Sequence, residues 1–146
     1  MSAILQESTR PSDQLNGLYP GIDIRTASGY FEAVRHGVSG EILKSFVTTI
    51  NNRELFARAL GKDKSNLSKS YRVDKLPTVI GDSVLDTVRV YMLATDIYGS
   101  LDLATEWLSS SIPALGGEIP VDLMDSHAGR ELVRQTLRKI EFGEYS

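Results

Sequence analysis

The 146-residue chain has no cysteine, which excludes disulfides and thiolate metal sites. It has two histidines, His36 and His127, far apart in sequence. A zinc site would need both together with carboxylates, and no ligand spacing supports one. No apolar run reaches the length that crosses a bilayer. The start, MSAILQESTRPSDQLNG, lacks the basic opening and long apolar core of a secretory signal, so the expected location is the cytoplasm, without a membrane partner. Catalytic signatures are missing as well. There is no GxxxxGK[ST] phosphate loop and no GxSxG nucleophile elbow, and neither histidine stands in a recognisable order with a serine and an acid. Gly116-Gly117 has no following lysine and no preceding strand. Asp122 and Asp125 stand at i, i+3, and Asp122 is accounted for as an acid in a first helical turn. No metal, cofactor or catalytic residue is expected, and the chain is not expected to be an enzyme.

What is present is ordinary globular composition, 41% hydrophobic and 24% charged, with a net charge of −3. The charge is uneven. Residues 51–75 hold seven basic side chains and three acidic ones, a balance of +4, while residues 76–146 hold five basic and eleven acidic, a balance of −6. The basic segment is either a solvated helical face or a surface that meets a polyanion.

Helical periodicity begins at Ala27. Residues 1–25, broken by Pro11, Gly17, Pro20 and Gly21, read as a mobile or loosely packed arm. Tyr30, Phe31 and Val34 share a face of a helix that Gly37 ends. A second helix spans about Ser39 to Ile50, with Ile42, Leu43, Phe46 and Val47 inward. Pro77 precedes a long helix, about Thr78 to Tyr98, with an apolar face that includes Val79, Ile80, Val84, Leu85, Val88 and Met92; Gly99 stops it. Asp102 to Ser109 forms another helix, with Leu103, Trp107 and Leu108 inward. Ser126 caps a last one, His127 to Phe142, through Leu132, Val133, Leu137 and Ile140. Arg130, Arg134 and Arg138 repeat every four residues along another side of it, as a solvated stripe or a grip on an acidic partner. Pro120 reads as the first residue of a short helix, and Gly116 and Gly117 as a sharp turn before it. No strand pattern appears, so the expected class is all-α.

Between these helices lies NNRELFARALGKDKSNLSKSYRVDKL. Asn51 with Glu54 makes a capping-box pattern, Leu55, Phe56, Ala59 and Leu60 form the apolar face, and Gly61 ends the helix. Asp63 then caps a short polar helix in which Leu67 and Tyr71 point inward. This is a helix-turn-helix pattern. A major groove admits one helix, whose exposed face must offer donors and positive charge. Lys64, Ser65, Asn66 and Lys69 fit that need, with Arg53, Arg58, Lys62 and Arg72 placed to reach phosphates.

From Tyr30 to Ser146 the order of these pieces resembles the Xre/MbcA/ParS antitoxins, the partners of RES-domain toxins. The specific part is carboxy-terminal: Gly99, Trp107-Leu108, Leu115-Gly116-Gly117, Pro120-Val121-Asp122-Leu123, Gly129 and Gly143-Glu144-Tyr145 in that order. Two positions depart from the family pattern. Ile119 stands where a small polar residue normally precedes the proline, which removes a side-chain cap. Asn66-Leu67 stands where Thr-Leu is frequent.

The resemblance implies a Cro/repressor-like helix-turn-helix unit joined by a long helix to a small helical toxin-binding domain. The expected divisions are 1–25 as arm, 26–76 as DNA-binding domain and 77–146 as toxin-binding domain. The implied partners are a cognate RES-domain toxin, which resembles ADP-ribosyltransferases and acts on NAD, and operator DNA. A homodimer and a larger toxin–antitoxin complex are expected with them. Carried over onto this chain, Phe142, Gly143, Glu144, Tyr145 and Ser146 would plug the toxin's NAD cleft, and Arg130, Arg134 and Arg138 would support the docked helix. The alternative is a stand-alone helix-turn-helix regulator whose carboxy-terminal domain dimerises or senses a ligand.

Overall fold

A computed structural model describes residues 9–143. Among these residues there are helices and no strand. The α-helices are α1 (Asp13–Asn16), α2 (Ala27–His36), α3 (Gly40–Ile50), α4 (Arg53–Ala59), α5 (Thr78–Tyr98), α6 (Leu101–Leu108) and α7 (His127–Glu141). Three 3-10 stretches, Lys64–Arg72, Pro113–Leu115 and Pro120–Leu123, lie between them.

Capping side chains set most of the starts. Thr26, Ser39, Ser100 and Ser126 each accept the backbone N–H three residues on, at 3.0–3.1 Å, satisfying a donor that the first turn leaves open. One expected cap is off by a residue. Asn51 takes the left-handed conformation that closes α3 (φ 60°), and Asn52 is the residue whose side chain caps α4. Asparagine tolerates left-handed backbone better than most residues, so two adjacent asparagines divide the stop and the start between them. Gly61 (φ 67°) ends α4 as expected. Its N–H reaches the Arg58 carbonyl and that of Lys62 the Ala57 carbonyl, the paired bonds of a Schellman motif.

The long helix α5 is the centre of the molecule. It packs against α1, α2, α4, α6 and α7, and Val84, Leu85, Val88, Tyr91 and Met92 are buried within one core cluster that runs from Leu15 to Leu137. At about 1.5 Å per residue, its 21 residues span about 30 Å. Some residues assigned inward by periodicity are instead solvent-facing: Phe31, Val79, Leu103 and Leu132 are exposed. Val79 sits in the first turn of α5, outside the core's reach. Phe31 lies beneath the Arg35 guanidinium, 5.7 Å from its ring centre.

The expectation of a loose arm does not hold over residues 9–25. Leu15, Tyr19 and Ile24 are buried in the core. The Ser12 N–H and hydroxyl both donate to the Asp96 carboxylate on α5, at 2.9 and 2.8 Å, and the Tyr19 hydroxyl donates to the Gly37 carbonyl at 2.7 Å. Three large apolar side chains at irregular spacing leave no periodic signal, yet they bury well. Residues 1–8 lie outside the described residues.

Two glycines permit close backbone contact. A Cβ on Gly29 would fall 1.7 Å from the Asp23 carbonyl oxygen, and one on Gly129 would fall 1.5 Å from that of Leu123. Each glycine stands three residues after its capping Thr26 or Ser126, so the chain entering α2 and α7 folds back on the first turn in the same way. Gly129→Ala should therefore cost about 1–3 kcal/mol, read as a lower urea midpoint, whereas Gly→Ala inside a helix is otherwise stabilising. A midpoint at or above the parent's would show that this contact is not a constraint.

Candidate functional site

The basic segment is largely exposed. Arg53, Lys62, Lys64, Ser65, Lys69 and Arg72 are exposed and Asn66 is half-buried. The element that carries most of them is a 3-10 helix rather than the expected α-helix, and Asp63 precedes it without a side-chain cap. Side chains three apart eclipse in a 3-10 helix. Leu67 and Ser70 therefore share the buried row, while Asn66, Lys69 and Arg72 share another that meets solvent. The segment is held from behind. Gly40 N–H donates to the Val73 carbonyl at 2.9 Å and Leu76 N–H to that of Val38 at 2.8 Å. A Cβ on Gly40 would fall 2.4 Å from the Tyr71 carbonyl group, so only glycine lets α3 approach this closely. Arg58 is not among these exposed residues. Half-buried, it donates from Nη2 to the Val121 carbonyl at 3.0 Å and ties α4 to the Pro120–Leu123 turn.

The carboxy-terminal part is organised by a buried ion cluster that periodicity did not show. Asp86 on α5 is 2% exposed and Arg130 on α7 is 5% exposed. Arg130 Nε donates to Asp86 Oδ2 at 2.7 Å, Arg134 Nη2 to the same oxygen at 3.2 Å, and Arg89 Nη1 to Oδ1 at 3.4 Å. Arg130 also donates from Nη1 to the Met124 carbonyl at 3.1 Å, and Arg134 from Nε to Glu131 at 2.7 Å. Burial by itself would raise the Asp86 pKa. The bonds from Arg130 and then Arg134 outweigh it and hold the group below the ordinary 3.8. Arg89 is fixed further by its bond to the Ile24 carbonyl at 2.9 Å and by stacking 4.2 Å over the Tyr30 ring. The Tyr30 hydroxyl donates in turn to Asp82.

Neither expectation for the arginine stripe describes Arg130, which is neither solvated nor free to grip a partner: it anchors α7 to α5. Arg134 is mostly buried, and of the three it is Arg138 that meets solvent, 3.2 Å from Glu141. A sequence signal for the cluster existed. Asp86 interrupts the run Val84, Leu85, Val88 of the inward face, and a charge at such a position needs a partner. The three arginines on α7 supply it.

Beyond the cluster, α6 and α7 each carry exposed apolar side chains. Leu103 and Leu132 are about half exposed, Trp107 stacks on Tyr98 with ring centres 6.1 Å apart, and Phe142 at the end of α7 is 74% exposed. Gly143 (φ 77°) turns the chain away from the helix. Glu144, Tyr145 and Ser146 lie outside the described residues. Pro120 does open a short helix, a 3-10 turn without a side-chain cap at Ile119, and Gly116 and Gly117 turn the chain at φ 67° and 84°.

The described residues thus combine an all-α scaffold, exposed basic residues on and around one 3-10 element, and an exposed Phe142 at the end of α7, which Asp86 anchors. Among the described residues, no helix is long and apolar enough to cross a membrane. Residues 93–143 match the family described as the antitoxin Xre/MbcA/ParS C-terminal toxin-binding domain. Over about a third of its length the chain is similar to that domain. It is also similar to the Prs ADP-ribosylating antitoxin of Sphingobium sp. (strain YBL2), 25% identical over 126 residues, which covers 77% of this chain and 78% of that protein. The second likeness extends well beyond the toxin-binding domain.

Proposed function

We propose that this protein is an antitoxin that neutralises a RES-type, ADP-ribosyltransferase-like toxin that acts on NAD, by seating α6 and α7 on it and occluding its active-site cleft with the chain end. The observation that carries this reading is the toxin-binding domain at 93–143, ending in an exposed Phe142 on a helix that the Asp86 cluster holds rigidly. The name of the Sphingobium relative, which contains the words "ADP-ribosylating antitoxin", supports the class of toxin. A rigid helix presenting an exposed aromatic at its end has the character of an interface anchor.

The same chain represses its own operon through the basic face, with 26–76 as the DNA-binding unit and the 3-10 row Asn66, Lys69 and Arg72 against the duplex. Arg53, Lys62, Lys64 and Ser65 flank that row, suited to contact phosphates and base edges. The net acidity of the rest of the chain opposes binding by one copy. A homodimer, or a larger complex with toxin, presents two such faces and adds avidity. Lys64→Ala, Asn66→Ala and Lys69→Ala should each weaken binding to the promoter fragment, with each lost lysine contact flattening the salt dependence by about one unit of slope. Gel shifts over a salt series measure this. Parent affinity in all three variants would remove this face as the DNA contact.

A further inference from the structure

The outward side of α6 is not used by the fold. Ala104 and Leu108 are fully buried, on the side of the helix that packs on α5. The opposite side carries Asp102, Leu103 and Glu106, all exposed. Leu103 has half its surface in solvent and lies between the two carboxylates, whose Cα atoms stand about 6 Å apart along the axis. Trp107, one turn beyond Leu103, borders this face with its ring stacked on Tyr98. Asp102 lies in the first turn, where an acid also favours the helix start. Glu106 and the exposed Leu103 have no such role. The charge of this part of the chain is of one sign. Between Arg89 and Arg130 the sequence holds six acidic side chains and no lysine or arginine. Of these, Asp102, Glu106, Glu118, Asp122 and Asp125 are exposed, and none of the five makes an ion pair among the described residues.

We infer that this face of α6 docks on a basic surface of the toxin: Leu103 fills an apolar depression there, and lysine or arginine side chains around it pair with Asp102 and Glu106. The inference rests on the reading of this protein as an antitoxin and adds the chemistry of its partner. Two observations select that occupant. All of α6 lies within 93–143, the stretch similar to the toxin-binding domain, whereas the chain's own basic segment lies outside it. Unpaired carboxylates beside an exposed leucine complement a cationic surface with an apolar centre, and repel the phosphates of DNA. In such an interface the flanking charges act on the rate of encounter and its salt dependence, and the apolar centre on the lifetime of the complex.

Association and dissociation kinetics of the full chain with a RES-domain toxin, over a salt series, test this. Association of the parent should slow steeply from low salt to about 1 M, where the screening length falls to about 3 Å. Asp102→Asn/Glu106→Gln keeps the shape and should lower the low-salt association rate by about fivefold or more, with the difference vanishing at high salt. Leu103→Ala should leave that rate unchanged and shorten the lifetime of the complex by about fivefold or more. Glu32→Gln/Glu41→Gln removes two exposed charges from α2 and α3 and should behave nearly as the parent does. Thermal unfolding confirms that all variants are folded. Equal slowing by the two charge variants would reduce the effect to net charge and overturn the assignment to α6, as would parent kinetics in both α6 variants. A parent that binds the toxin at no salt concentration overturns this inference together with the proposed function, whereas tight binding that only the chain-end truncation weakens overturns this inference alone. Salt-sensitive self-association of the free chain, lost in Asp102→Asn/Glu106→Gln, would also overturn it and assign the face to a second copy.

Discussion

Asp86→Asn should lower the folding free energy by about 3–5 kcal/mol at pH 7, the largest stability effect of any single substitution proposed for this chain. The substitution keeps the shape and removes the charge, so Arg130, 5% exposed, is left as a buried cation with no ionised partner. Arg134 and Arg89 lose the same partner but are better solvated, so their share is smaller. Urea denaturation reads the change as a fall in midpoint. Asp86→Asn combined with Arg130→Met should recover part of the loss, since removing both charges ends the mismatch. A double-mutant cycle would then give a coupling well above the error of the measurement. The pH dependence has a definite sign. The Asp86 pKa is lowered in the folded protein, so its stabilisation is complete above about pH 4, the unfolded value. It is lost as the pH falls through the folded value. The gap between parent and Asp86→Asn should therefore shrink towards acid pH. A variant as stable as the parent at pH 7 would show that the cluster does not anchor α7.

Removing residues 142–146 should weaken toxin binding by about thirtyfold or more while leaving the melting temperature nearly unchanged. Phe142 is 74% exposed and Gly143 follows it in an exposed turn, so neither of these two belongs to the core. The expected loss corresponds to one interface anchor of about 2 kcal/mol, from Phe142 or Tyr145. Binding titration against the toxin measures the first quantity and thermal unfolding the second. Full neutralisation by the truncated chain would place the inhibitory contact on α6 and the body of α7 instead of the chain end.

Most helices were legible because their boundaries are local. Ser39, Ser100 and Ser126 cap, Gly37, Gly61 and Gly99 stop, and the intervening apolar residues keep a helical period; α5 runs over the expected residues, Thr78–Tyr98. What was not legible depends on partners distant in sequence. Asp86 meets Arg130 across 44 positions and Ser12 meets Asp96 across 84. No window along one helix contains such a pair. Residues 9–25 were misread for the same reason: Leu15, Tyr19 and Ile24 are inward by tertiary contact and not by period. The 3-10 form of Lys64–Arg72 was hidden too, because a polar nine-residue segment with one core leucine gives both helix types the same pattern. Of the expected partner-binding residues, the exposed basic residues and Phe142 stand at the surface. Arg130 does not, because on a helix a repeat of four residues drifts around the axis and carries the stripe from the interior at Arg130 to solvent at Arg138.

On the proposed function, this chain silences a toxin by binding it directly. Co-expression with a RES-domain toxin, with growth followed and the tagged protein then purified, tests the proposed function most directly. Relief of the toxin's growth arrest, with the two proteins eluting together, is the predicted result. Growth arrest that persists at full antitoxin expression, or relief with no toxin in the purified material, would contradict it.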